Sequence, residues 1–211
     1  DYWVETMQDD CYLISELGWQ NAIQPHEVVK IKNANGKLVW PKEPFDYTKG
    51  KRRFKSELLP SIILINKYFI VEQDNIEKLE NDLSDINQTY QDMIEENIAE
   101  DSMLFDVIDD EGDKPKITAK SVKIRLKEID EDPNFKDELK ALKDCIVLFD
   151  KQYEVKNEIK TAQIDLEVKL INKYSKLKED EIKIIVIENK WLDYLSNAMQ
   201  GELDHVSQIL T

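Results

Sequence analysis

Apolar side chains recur at helical spacing over two long stretches of this chain. The first runs through Leu58, Ile62, Ile65 and Phe69, then Ile76, Leu79, Leu83, Ile86, Tyr90 and Met93. Its gaps alternate between three and four residues, with one miss at Glu72. That is the heptad spacing of helices that bury a narrow seam. Pro60 suits the first turn, where its missing N–H has no partner to lose. Ile63, Leu64, Tyr68, Ile70 and Val71 add apolar surface, so the first half is read as buried on more than one face. The second half is polar outside its stripe and faces one partner. A second helix is predicted from Asp132 as N-cap and Pro133 at the first helical position. Its stripe is Phe135, Leu139, Leu142, Ile146, Phe149 and Tyr153. The stripe then changes register and continues as Val155, Ile159, Ala162, Leu166 and Leu170, a stutter of the kind that alters supercoiling. Two such helices joined by a compact insertion fold back on each other as an antiparallel hairpin. A homodimeric coiled coil through the same stripes is the rival.

The flanking segments read differently. Asp1–Gln8 looks like a helix end, with Tyr2, Trp3 and Met7 as core candidates, and Cys11–Leu17 like a short strand before Gly18-Trp19. Val28–Ile31 and Lys37–Trp40 lean to β structure, with the hairpin signal Asn33-Ala34-Asn35-Gly36 between them. Pro41 and Pro44 end that strand, and Lys49–Lys55 forms a loop hinged at Gly50. Asp109-Asp110-Glu111-Gly112-Asp113 with Pro115 is a turn, and Thr118–Ile129 a short amphipathic helix carrying Val122, Leu126 and Ile129. Glu179–Ile187 is a helix or a short strand. Trp191 opens a last helix striped by Leu192, Leu195, Met199, Leu203, Val206 and Leu210. The predicted fold class is mainly α: a long antiparallel, coiled-coil-like helical hairpin, a small β-containing base and a C-terminal amphipathic helix. The segments are 1–56 (base), 57–176 (hairpin, with the insertion at 99–131) and 177–211 (C-terminal).

Composition supports this picture. Charged residues make up 35%, and only five Gly and six Pro interrupt 211 residues. That favours long solvated helices over a turn-rich sandwich. No apolar run reaches the roughly 18–20 residues of a membrane span, and the acidic, aromatic opening is no signal peptide. Two cysteines, Cys11 and Cys145, suggest no disulfide framework and fit a cytoplasmic setting. The chain opens inside what reads as a helix and stops inside an amphipathic pattern, so it reads as part of something longer. The net charge of −15 disfavours general nucleic-acid binding. The charge is uneven, however. Residues 1–56 hold nine Lys/Arg against eight Asp/Glu, a net of +1, which leaves −16 for residues 57–211. Lys51, Arg52, Arg53 and Lys55 form the candidate phosphate contact; a solvated basic turn is the bland alternative.

Motifs for catalysis are missing. The glycines stand at 18, 36, 50, 112 and 201, so there is no dinucleotide or phosphate-loop fingerprint. Two His and two Cys, widely spaced, make no zinc site. His26 and His205 read as surface residues. The acidic turn lacks the twelfth-position Glu of a calcium loop. No catalytic, cofactor-binding or metal residue is assigned.

Several strings are more specific than composition. They are Asp1-Tyr2-Trp3 with Met7-Gln8-Asp9-Asp10, Tyr12-Leu13-Ile14 and Gly18-Trp19; Glu57-Leu58-Leu59-Pro60; Ile65-Asn66-Lys67-Tyr68-Phe69; Arg125-Leu126-Lys127-Glu128-Ile129; Asn189-Lys190-Trp191-Leu192; and Gln200-Gly201-Glu202-Leu203-Asp204 with Ser207-Gln208 and Leu210-Thr211. Together, and in order, the chain resembles the C-terminal part of the modification (M) subunit of type I restriction-modification systems. The resemblance implies a parent that methylates adenine N6 in DNA with S-adenosylmethionine. It also implies assembly with a specificity (S) subunit and, in the full enzyme, a restriction (R) subunit. The family's Asn-Pro-Pro-Tyr/Phe motif and glycine-rich cofactor motif are absent here, so no catalytic or cofactor residue carries over and this segment alone is expected to be inactive. The implied role is assembly and DNA engagement. Met199, Leu203, Val206 and Leu210 are the candidate contacts with the S subunit. Calorimetry at millimolar S-adenosylmethionine is expected to show no binding heat; saturable micromolar binding would overturn that reading.

Overall fold

The computed structural model describes residues 7–42, 44–99, 102–109, 115–129 and 133–210, without the side chains of Pro133, Ile209 and Leu210. The helix end expected within Asp1–Gln8 lies largely outside the described residues, as do Asp132 and most of the acidic turn. The chain is mainly α, with its two long helices packed together and small antiparallel sheets. In order, it runs α1 (Gln8–Leu17), α2 (Trp19–Ala22), β1 (His26–Val28), β2 (Ile31–Lys32), β3 (Leu38–Val39), β4 (Tyr47–Lys49), β5 (Arg52–Lys55), α3 (Ser61–Tyr68) and α4 (Ile70–Glu96). Then come a 3-10 turn (Phe105–Val107), β6 (Ile108–Asp109), β7 (Lys116–Ile117), α5 (Ala119–Glu128), a second 3-10 turn (Pro133–Phe135), α6 (Lys136–Lys176) and α7 (Glu179–Ile184). A π-helical stretch, Ile185–Leu192, leads into α8 (Asp193–Leu210). Packing groups these elements into two compact units, residues 74–163 and residues 1–73 with 164–211.

In the unit 74–163, contacts climb one helix as they descend the other, the signature of an antiparallel hairpin. The Cys145 thiol meets the Met93 sulfur at 3.3 Å, and the Tyr90 and Phe149 rings lie 5.9 Å apart. Gln152 donates to Asn87 at 2.7 Å and Gln163 to Glu80 at 3.4 Å. The stutter has a simple resolution. Tyr153 is 70% exposed, and the seam instead takes Gln152, half-buried, on a regular seven-residue step between Cys145 and Ile159. A polar residue at a seam position fixes register at some cost in stability. The insertion caps this unit: Leu104, Val107, Ile117 and Val122 bury against Ile94, Leu142 and Cys145. Thr118 and Ser121 form a capping box at the start of α5. Burial pushes the Cys145 thiol up to about 11, so it stays protonated as a small core residue.

The other unit is built around Ile23, Leu58, Leu59, Leu64, Leu170, Tyr174, Leu177, Ile182, Ile185 and Val186. Four sequence expectations are corrected here. Cys11–Leu17 is helical, not a strand, because a helix turns Asp10, Leu13 and Ile14 inward together; Gly18, at φ +72°, then stops it. The first long helix is not continuous from Pro60. Phe69 leaves helical geometry at φ −133°, closing α3 with its N–H on Ile65 and opening α4 by accepting from Gln73. The heptad miss at Glu72 falls just after this break, where Glu72 meets Lys169 at 2.7 Å. Leu58 precedes the helix and is fully buried. Finally, Trp191 does not open the last helix; it lies in the π stretch.

Asp46 starts α3. Its carboxylate accepts from Ser56 N–H at 2.5 Å and Ser61 N–H at 2.6 Å. At the opposite side of the fold's chain order, Lys190 donates to Asp10 (2.7–2.8 Å) and to the carbonyls of Leu58 (2.9 Å) and Glu57 (3.2 Å). Trp191 Nε1 also donates to Asp10, at 2.8 Å. Removing one partner of a buried pair strands the other charge, at a cost of about 3–5 kcal/mol. Lys190→Met is therefore expected to lower stability by about that much in denaturant unfolding, and adding Asp10→Leu is expected to recover part of the loss. Equal stability of Lys190→Met and the wild type would show that the pair is not structural.

Candidate functional site

The basic segment is not a loop. β4 and β5 form a hairpin, and β5 lies central in a three-stranded antiparallel sheet ordered β1-β5-β4. Lys49 pairs with Arg52, which leaves Gly50 and Lys51 to make the turn, and Gly50 supplies the positive φ of +67° that a tight hairpin needs. Strand alternation then separates the four candidate cations. Arg52 shares a face with Phe54, which stacks on Tyr47 in the core at 5.2 Å. It meets Glu27 at 3.5 Å, both side chains being largely exposed. Arg53 and Lys55 share the other face. Lys55 pairs with Glu57 at 3.0 Å, and His26 lies 3.6 Å from the same carboxylate. Lys51 is exposed at the turn.

Arg53 has the most specific setting. Its guanidinium lies 4.5 Å from the centre of the Trp40 ring and 4.6 Å from that of Phe45. Lys30 stands 5.1 Å from the same Trp40 ring. Sequence reasoning passed over Trp40, Phe45 and Lys30 as functional residues. Their only signal was an aromatic–basic mixture, and the contacts join residues distant along the chain. β2 and β3 form a separate two-stranded hairpin, Ile31 against Val39 and Lys32 against Leu38. Val28–Ile31 is thus two strands with different partners, not one. A cavity of about 340 Å³ beside β1 is lined by Val28, Val29, Ile31, Pro41 and Pro44, with Lys55 among the polar residues at its wall.

The second candidate surface is α8. Met199, Leu203 and Val206 are 64%, 63% and 51% exposed, whereas Leu195 and Ala198 nearer its start are half-buried. Leu210 lies at its end, its side chain outside the described residues. From Trp191 onward the chain has Asp193, Glu202 and Asp204 but no Lys or Arg.

One titratable cluster stands apart from both surfaces. Glu181 accepts from Tyr68 at 2.6 Å and from Lys173 at 2.8 Å, and the Lys173 ammonium stands over the Tyr68 ring at 3.7 Å. These bonds hold the Glu181 carboxyl below the usual carboxylate range, the Lys173 bond first. Burial, then the Glu181 bond, pushes Tyr68 up to about 12. The cluster joins α3, α6 and α7 and presents no nucleophile. Among the described residues no group of His, Cys, Asp and Glu is placed to hold a metal, and no helix is long and apolar enough to cross a membrane. Comparison of the chain with models of protein families, with curated proteins and with solved structures finds no match.

The Tyr68 shift has a definite sign. The neutral phenol is favoured in the folded state, so its contribution is complete below pH 10 and is lost as pH rises from 10 toward about 12. The wild type is therefore expected to lose stability over that window more steeply than Tyr68→Phe. Parallel pH profiles of the two would exclude the linkage.

Proposed function

We propose that this chain is the C-terminal assembly and DNA-engagement region of a type I restriction-modification M subunit, and that it docks on the S subunit through the far end of α8. The parent would supply adenine N6 methylation with S-adenosylmethionine; this segment would supply contacts. The observation that supports docking is the one-sided stripe of α8, whose Met199, Leu203 and Val206 stand in solvent at regular helical spacing. Amphipathic helices of this kind dock in a partner's groove or on a partner's helix through residues three and four apart. The S subunit's rigid helical spacer is such a partner. The basic hairpin adds local phosphate contact to an acidic protein through Lys51, Arg52, Arg53 and Lys55. A location in the cytoplasm goes with this role.

Burying two aliphatic side chains is worth roughly 3–6 kcal/mol. Replacing Leu203 and Val206 together by Lys in the parent protein is expected to weaken assembly with the S subunit at least about a hundredfold. Size-exclusion chromatography with calorimetric titration reads this directly. Normal assembly of the double variant would place the S subunit elsewhere.

A further inference from the structure

All nine Lys and Arg of the first 56 residues fall between Lys30 and Lys55, where only Glu43 and Asp46 are acidic, a net of +7. The whole chain carries −15, so everything outside this short segment carries −22. Asp46 is moreover committed to the backbone N–H groups of Ser56 and Ser61. Glu27 and Glu57 pair with Arg52 and Lys55, and the remaining cations still make the small sheets a basic patch in an acidic protein.

The patch has a shape. Residues 29–38 are exposed throughout, on both faces of the β2–β3 ribbon. A lone two-stranded ribbon is marginally stable in water, and this one keeps its turn through Asn33, whose side chain accepts from the Asn35 and Lys37 N–H groups. By strand alternation Lys30, Lys32 and Leu38 share a face, and Trp40 continues it. Trp40 then joins the ribbon to the three-stranded sheet, since its ring meets both Lys30 and Arg53. Arg53 has rings against its flat surface, Trp40 and Phe45. A stacked guanidinium keeps its N–H edge for planar, two-point recognition of a phosphate.

We infer that the β2–β3 ribbon and its Trp40–Arg53 base engage duplex DNA, the ribbon entering the major groove and Arg53 taking a backbone phosphate. The B-form major groove, about 12 Å wide, admits a two-stranded ribbon, whereas the deep, narrow major groove of an RNA duplex does not. Lys30 and Lys32 act as sequence-independent phosphate partners. The inference rests on the DNA-engagement half of the reading above and not on docking to an S subunit, and it moves the main contact from the β4–β5 turn to the ribbon.

Fluorescence anisotropy with a labelled 20-base-pair DNA duplex of arbitrary sequence, titrated with this chain across a salt series, tests it. The double variant Lys30→Ala/Lys32→Ala is expected to lose roughly tenfold in affinity near 0.1 M salt and to flatten the log–log salt slope by about two. Arg53→Ala should flatten it by about one. The comparison variant Lys51→Ala/Arg52→Ala, at the lesser phosphate contact of the other hairpin's turn, should lose clearly less affinity than the ribbon variant, about threefold. The substituted side chains, Arg53 apart, are exposed, and melting curves confirm that each variant folds. If the comparison variant loses as much as the ribbon variant or more, the ribbon is overturned while DNA engagement stands. If the folded wild type does not bind at low salt, both fall, and the assembly experiment on α8 is unaffected. Competition by poly-L-glutamate or by an RNA duplex as effective as that by DNA would also overturn the assignment.

Discussion

The unit that carries both candidate surfaces depends on one buried carboxylate. Asp10 is 7% exposed, and its charge is acceptable there only because Lys190 and Trp191 both donate to it. Lys190 does more than neutralise. Its remaining protons go to the carbonyls of Glu57 and Leu58, just ahead of α3. One ammonium therefore gathers α1, the lead-in to α3 and the π stretch, segments drawn from the two ends of the chain. Trp191 reinforces this through the Trp19 ring 6.3 Å away.

The π stretch is what lets consecutive residues serve that site. In π winding the backbone bonds join residues five apart, a wider turn than the four of an α-helix. Ile185 and Val186 are fully buried, and five residues on come Lys190 and Trp191. Ordinary α winding would carry Trp191, five residues after Val186, well round the helix from it. The wider turn thus continues the core face of α7 into the Asp10 site. Ordinary winding resumes at Asp193, and from there the apolar stripe is free to face away from the core that anchors it.

How far the chain betrays its fold depends on how local each determinant is. The hairpin stripes from Ile76 to Met93 and around Leu142 were readable because a seven-residue step is a local pattern with one simple partner. Pro60, the Asn33–Gly36 turn and the α5 start at Thr118 were readable for the same reason. The strand reading of Cys11–Leu17 weighed Tyr12, Leu13 and Ile14 by β propensity; burial of Asp10 against a residue 180 positions away overrode it. The Phe69 break and the π stretch leave no propensity signature, because both serve packing settled elsewhere. At the candidate sites, the basic residues and the α8 stripe could be picked out in the sequence. The Trp40–Arg53–Phe45 stack could not, since it needs the three strands in place before the rings and the guanidinium meet.

The two surfaces also constrain each other by sign. The sheets present cations around aromatic rings, and α8 presents aliphatic side chains flanked by Asp193, Glu202 and Asp204. A polyanion drawn to the sheets is repelled along α8, and this repulsion acts over roughly 8–10 Å at physiological salt. A second copy of α8 laid against the first would oppose acidic flank to acidic flank, a like-charge cost with no cation from Trp191 onward to relieve it. An amphipathic helix with basic flanks would cover Met199, Leu203 and Val206 at lower electrostatic cost than a second copy of α8. Sign, more than apolar area, would keep a polyanion and a helical partner on separate surfaces.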